Sequence, residues 1–199
     1  MLILASASPR RQELLTNIGI KFRSVVSDIK EITEEEGELL LPSGVAMENA
    51  RRKAMSVAKK YPHDIVIGAD TIVALDDDGR NVILGKPKSK PDAIRMLSEL
   101  SGRQHSVYTG IAIAMGRRRY IDVVMTKVRF APISEDEIEQ YVATGEPMDK
   151  AGAYAIQGRA AVFIEEIKGS YTNVVGLPLN ALFTLAKKAG IRLYDDYGA

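Results

Sequence analysis

The stretch that most constrains this chain is its beginning, from Leu2 to Gly19. Leu2-Ile3-Leu4-Ala5 is a short apolar run of the kind that forms a buried strand, and Ser6-Ala7-Ser8-Pro9-Arg10-Arg11 follows at once. Gln12-Glu13-Leu14-Leu15-Thr16-Asn17-Ile18 then has a helical pattern, with Ser8 suited to the N-cap, Pro9 to the first helical position and Gly19 to the stop. A strand that feeds directly into a helix points to an α/β sheet. It also places Arg10 and Arg11 in the first helical turn, where the macrodipole disfavours each cation by roughly 0.3–1 kcal/mol. A bound anion would reverse that penalty, because free backbone N–H groups and two guanidinium forks could converge on phosphate oxygens. The plainer alternative is two solvated arginines that tolerate the dipole.

Alternation continues downstream. Phe22 to Val26 reads as a second strand, and Ser27 to Leu41 as an acidic loop. Ser43 is expected to cap a helix that carries Arg51, Arg52 and Lys53. Ile65 to Ala69 is a nearly all-apolar strand that runs into Asp70-Thr71-Ile72-Val73-Ala74-Leu75, turns at Asp76-Asp77-Asp78-Gly79 and returns through Val82-Ile83-Leu84. Pro91 to Leu100 is helical. His105 to Met115 and Tyr120 to Phe130 form an antiparallel hairpin. Ser134 caps a helix from Glu135 to Ala143, Ala161 to Ile167 is a strand, and Leu179 to Ala189 a final helix. The expected fold is a mixed α/β (α+β) sheet, largely antiparallel in its middle, with flanking helices.

The 199 residues fit a single domain, 1–199, with length enough for two lobes and a real core. Lys and Arg total 27 against 26 acidic residues, so the net charge of +1 argues against a nucleic-acid-coating protein and requires any anion site to be a local concentration of charge. The absence of cysteine excludes disulfides, thiolate metal sites and a cysteine nucleophile. No apolar run approaches the roughly 18–20 residues that span a bilayer, and the start does not resemble a signal peptide. The expectation is a cytoplasmic protein with no membrane or nucleic-acid partner.

Asp70 is the foremost candidate for chemistry. It ends the apolar run Ile65 to Ala69, and carboxylates at strand ends commonly line the ligand crevice of α/β sheets. It would serve as a general base or, beside a metal, as a ligand; otherwise it caps a turn. Gly85-Lys86-Pro87 fails as a Walker A loop, since Gly79 is one residue too far and Pro87 stands where Ser or Thr is needed. Lys86 remains a possible phosphate ligand, as does Lys53. The segment Gly145 to Gly158 looks too rich in Gly and Ala to build a core, and Gln157 within it offers a donor and an acceptor that match the imide edge of a pyrimidine. His63 and His105 lie too far apart for a histidine metal site. A metal would therefore be a hard cation such as magnesium or manganese, with Glu31, Asp70 and Asp149 as possible ligands and Glu34-Glu35-Glu36 a solvated loop.

Six blocks then fall in one order: Ser6 to Arg11, Gly68-Ala69-Asp70-Thr71, Gly85-Lys86-Pro87, Ser106-Val107-Tyr108-Thr109-Gly110, Gly145 to Gly158, and Gly169 to Leu179. Together they resemble the Maf family of nucleoside triphosphate pyrophosphatases. The resemblance implies an elongated sheet in two lobes around a cleft, of the kind shared with inosine triphosphatases. It implies metal-dependent hydrolysis of a nucleoside triphosphate to the monophosphate and pyrophosphate, and a homodimer. By position, Asp70 matches the proton acceptor; Ser8, Arg10, Arg11, Lys53 and Lys86 match phosphate contacts; Glu31 matches an acidic position near the metal. Thr71 and Gln157 resemble the branch that acts on dTTP and UTP. The family has also been linked to septum formation, so a nucleotide-binding regulator of cell division is the alternative.

Overall fold

The computed structural model describes residues 1–32 and 41–194, so the expected loop at Glu34-Glu35-Glu36 lies outside the described residues. Within them the chain forms a seven-stranded mixed sheet ordered β2-β1-β3-β5-β6-β7, with β4 paired to β3. The strands are β1 (Leu2–Leu4), β2 (Arg23–Ser24), β3 (Ile65–Asp77), β4 (Arg80–Leu84), β5 (Gln104–Met115), β6 (Arg118–Phe130) and β7 (Ile164–Lys168). The helices are α1 (Pro9–Asn17), α2 (Pro42–Lys60), α3 (Lys90–Leu100), α4 (Glu135–Ala143), α5 (Tyr171–Val175) and α6 (Leu179–Lys188). The β1–β2 and β1–β3 pairs are parallel and the rest antiparallel, as the early alternation and later hairpin require.

The strand β3 organises the site. Asp70 does not end it; a single 13-residue strand passes through Asp70 and Thr71 to Asp77. The ladder is made by the backbone, and Thr71-Ile72-Val73 has high strand propensity, so one acidic side chain does not interrupt it. One edge of β3 pairs with β5 without a break, from Ile65↔Met115 to Ala74↔Ser106. The other edge pairs with β1 only as far as Leu4↔Ile67, and with β4 only from Val73↔Leu84 onward. Gly68 to Ile72 therefore has one unpaired edge, where both faces of the strand can look into the same space.

α2 lies directly on one face of β3 and β5. A Cβ at Gly68 would come within 2.3 Å of the Ala50 carbonyl oxygen, and one at Gly110 within 2.2 Å of that of Ala46. The two glycines sit on the same face (Gly110 is paired with Asp70), and with Ala50, Ala54, Ala112 and Ala114 they let helix and sheet backbones nearly touch. The opposite face buries Ile67, Ala69, Ile111 and Ile113 against α1 and α6 through Leu14, Leu15, Leu182 and Leu185. A further cluster gathers α3 and α4 around Val107, Phe130 and Tyr154.

Several local expectations need correction. The strand from Phe22 to Val26 shrinks to Arg23–Ser24, since only those two residues reach register with β1. Ser43 is not the cap of α2, which starts at Pro42 after Leu41; Pro at the first position sets the entry. The strand placed at Ala161 to Ile167 begins as a 3-10 turn, Arg159–Phe163, and extends only from Ile164 to Lys168. Ser134 does close a capping box with Glu137, and α4 spans the expected residues. No described helix is long and apolar enough to cross a membrane.

Candidate active site

The open edge of β3 faces a cleft of about 650 Å³. Ser8, Arg10, Arg11, Glu31, Lys53, Asp70, Thr71 and Lys86 all line it, as does Asp149. Gln157 does not. It is exposed in an adjoining shallow hollow that shares Arg10, Lys150 and Ala155 with the cleft.

Asp70 sits on the α2 face and is 6% exposed. Lys53 donates from Nζ to its Oδ1 at 2.6 Å, and Asn49 from Nδ2 to its Oδ2 at 3.0 Å. Asn49 and Lys53 are one turn apart on α2, so the close approach allowed by Gly68 and Gly110 brings both onto one carboxylate. Lys53 also meets Glu31 Oε1 at 2.6 Å and so joins two carboxylates. Burial raises the Glu31 carboxyl, but the Lys53 ammonium and its hydrogen bond, helped by Lys86 and Arg11, outweigh that and hold it below its ordinary value.

Arg11 sits on the other face. Its Nε donates to the Gly176 carbonyl at 2.7 Å, Nη1 to Ser6 Oγ at 3.2 Å and Nη2 to Thr71 Oγ1 at 3.0 Å. Burial lowers its pKa, with Asp70 and Glu31 acting in the opposite direction. Among the described residues three of its five N–H bonds meet protein acceptors, so two can serve a ligand. Thr109 Oγ1 donates to the Asn173 carbonyl at 3.0 Å, so the hydroxyl proton in the 3.0 Å Thr71–Thr109 contact comes from Thr71. Thr71 therefore holds Arg11 by accepting from it. Ser8 makes no side-chain cap; its own N–H donates to Ser6 Oγ at 3.1 Å, and the residue lines the cleft.

The segment from Gly145 to Gly158 contributes more to the core than its composition suggests. Ala153, Tyr154, Ala155 and Ile156 are buried, and Tyr154 packs edge-on to Phe130 and His105. Glu146 staples its two ends by accepting from Tyr141 Oη at 3.0 Å and from the Arg159 N–H at 3.0 Å. Asp149 pairs with Lys150 beside it. Sequence patterning missed Asn49 as well, because a lone Asn inside a helix gives no signal until the helix is placed on the sheet.

Among the described residues no three His, Cys, Asp or Glu groups converge as a protein-only metal cage. Asp70 and Glu31 instead present two carboxylates around Lys53 at the open strand edge. That donor set suits magnesium, which is commonly held by one or two carboxylates together with substrate phosphates and waters.

Sequence comparisons place the chain among known proteins. The family model described as "Maf-like protein" matches residues 1–189. A protein of Desulforamulus reducens named dTTP/UTP pyrophosphatase is 47% identical over 195 residues, 96% of this chain and 98% of its own length. Proteins with the same name from Symbiobacterium thermophilum and Clostridioides difficile are 48% and 49% identical, over 97% and 94% of this chain and 96% and 94% of their own lengths. With the family model covering nearly all of its length and relatives matched almost end to end, the chain belongs to the Maf family.

Proposed function

We propose that the cleft binds a nucleoside triphosphate, dTTP or UTP, and hydrolyses it to the nucleoside monophosphate and pyrophosphate. One observation supports this reading above the others: a buried carboxylate, Asp70, lies at an unpaired strand edge surrounded by Arg11, Lys53 and the N-terminus of α1, with Arg10 and Lys86 at the rim. Cleavage of a phosphoanhydride needs this combination of a proton acceptor beside an array of cations and N–H donors that absorb charge on the leaving group.

In the proposed step Asp70 takes a proton from water as the water oxygen attacks the α-phosphorus. The bond from that phosphorus to the α–β bridging oxygen breaks, and pyrophosphate departs with the electron pair. Lys53 and Asn49 each occupy one lone pair of the Asp70 carboxylate, leaving the others for the attacking water. The two uncommitted N–H bonds of Arg11, the Ser8 hydroxyl and the first N–H groups of α1 grip the phosphate chain. Arg10 and Lys86 supply further charge from the rim. A magnesium or manganese ion, held by Glu31 and the phosphates, would supply charge neutralisation. Thr71 serves through Arg11, and Gln157 faces the hollow where a pyrimidine edge would be read. The homodimer and the cytoplasmic location belong to the same proposal; sedimentation tests the first.

Incubation of the purified protein with a nucleotide panel and magnesium, followed by product identification, tests the reading. Monophosphate plus pyrophosphate from dTTP and UTP is expected. Release of orthophosphate with a diphosphate overturns the bond assignment, and preference for a purine such as 7-methyl-GTP overturns the substrate class.

A further inference from the structure

In the reaction proposed above Asn49 does no more than occupy one lone pair of Asp70, although it lies deepest in the charged cluster, at 1% exposed. Its amide is fully engaged on two sides. Oδ1 accepts from the Ile32 N–H at 2.8 Å, while Nδ2 donates to Asp70 Oδ2 at 3.0 Å and towards the Ile32 carbonyl at 3.4 Å. The orientation is forced. A flipped amide would place oxygen against a carboxylate oxygen and N–H against N–H, losing both short bonds at once.

Asn49 therefore ties together two segments that no regular structure joins. One is Asp70 in β3. The other is the irregular stretch 27–32, whose Glu31 reaches Lys53. The side chain cannot retreat, since the helix that carries it is seated backbone-to-backbone on Gly68 and Gly110. We propose that Asn49 is a positioning residue: it fixes the rotation of the Asp70 carboxylate and holds Glu31 on the same ammonium, so that both carboxylates are preorganised before substrate arrives. The inference rests on the assignment of Asp70 as base. Nearly all of the effect should fall on kcat, because Asn49 faces Asp70 and Ile32 and not the phosphate-gripping groups.

Two variants separate this role from simple packing. Asn49→Asp keeps the size and the acceptor for the Ile32 N–H but replaces the donor to Asp70 with a carboxylate oxygen; Asn49→Ala removes both bonds. Each is expected to lower kcat on the order of 10²-fold, the usual cost of a small misplacement of a reacting group, with KM little changed. Each is also made in an Asp70→Asn background, where no further loss of rate is expected because there is no base left to position. There Asn49→Asp should instead regain thermal stability, since the donor and acceptor are merely exchanged.

The inference is overturned if folded Asn49→Asp turns over like the parent, or if Asn49→Ala costs the same factor with and without Asp70. It is overturned too if KM carries the loss. The outcomes also distinguish the two levels of reasoning. Normal turnover in Asn49→Asp beside an inactive Asp70→Asn removes only the role of Asn49, whereas an active Asp70→Asn removes the base itself and this inference with it.

Discussion

The floor and the rim of the cleft carry the same kinds of charge but hold them in opposite ways. On the floor, Asp70, Lys53 and Arg11 are each less than a tenth exposed, and each bonds to elements distant in sequence. On the rim, Lys86 is exposed and Arg10 is half-buried. Groups fixed in a dry setting are aimed before the reaction begins, so they can act on the transition state without reorganising. Exposed groups are screened by salt and lose side-chain entropy on binding, which suits them to capture. The contrast separates residues that should govern kcat from those that should govern KM.

The largest effect should come from the floor. Asp70→Asn is expected to lower kcat by about 10²–10⁴-fold, the usual worth of a general base, while KM stays near the parent value. Steady-state kinetics on dTTP checks this, and near-normal turnover in a folded variant would break the comparison at its centre.

Next comes the support beneath the floor. Gly110→Ala places a methyl group against the backbone of α2 and is expected to cost about 3 kcal/mol of stability, near the upper end for overpacking. A urea midpoint unchanged from the parent would mean that α2 is not seated as rigidly as the positions of Lys53 and Asn49 require.

A third test concerns the wall behind the cleft. His105 is 2% exposed and makes a 2.8 Å hydrogen bond between Nε2 and Tyr154 Oη. Burial pushes its pKa down to about 3 from 6.5. The unfolded chain therefore binds a proton at this histidine in a window where the folded chain does not, and stability rises with pH there. It is complete above pH 6.5 and lost progressively as the pH falls towards 3. Between pH 6.5 and 5 the contribution amounts to about 2 kcal/mol. Urea midpoints across that range should fall, and His105→Asn should flatten this part of the slope; an unaltered slope would show that other groups govern it.

The smallest effect belongs to the rim. Lys86→Ala is expected to raise KM about tenfold at low salt with little change in kcat, and the difference should shrink as the ionic strength increases. A loss in kcat that is insensitive to salt would move Lys86 from the rim to the floor.

How much of this could be read without coordinates follows the range of the forces involved. Pro9, the capping box at Ser134 and Glu137 and the turn after Asp78 are short-range features, and α1, α4 and the β3–β4 turn lie close to where the sequence places them. Strand ends were less legible. Phe22 to Val26 has a strand's composition, yet the length paired is decided by the register with β1. The short helix α5 was not anticipated, because Ser170 to Gly176 has no apolar period and owes its place partly to Asn173, which donates to Val107 O and Thr126 Oγ1 across the sheet. The candidate site residues other than Gln157 all line one cleft, while their pairings had no signature in the sequence.

By itself the sequence determined the local elements and the residue types of the cleft, since strand run, helix cap and charged turn each depend on neighbours a few positions away. Tertiary structure alone decided that Asp70 lies mid-strand at an unpaired edge, that Asn49 and Lys53 grip it, and that Thr71 serves Arg11. Those outcomes depend on where β1 stops beside β3 and on how closely α2 can approach two glycines. Both are distances between segments far apart in the chain, set by packing and not by any local preference.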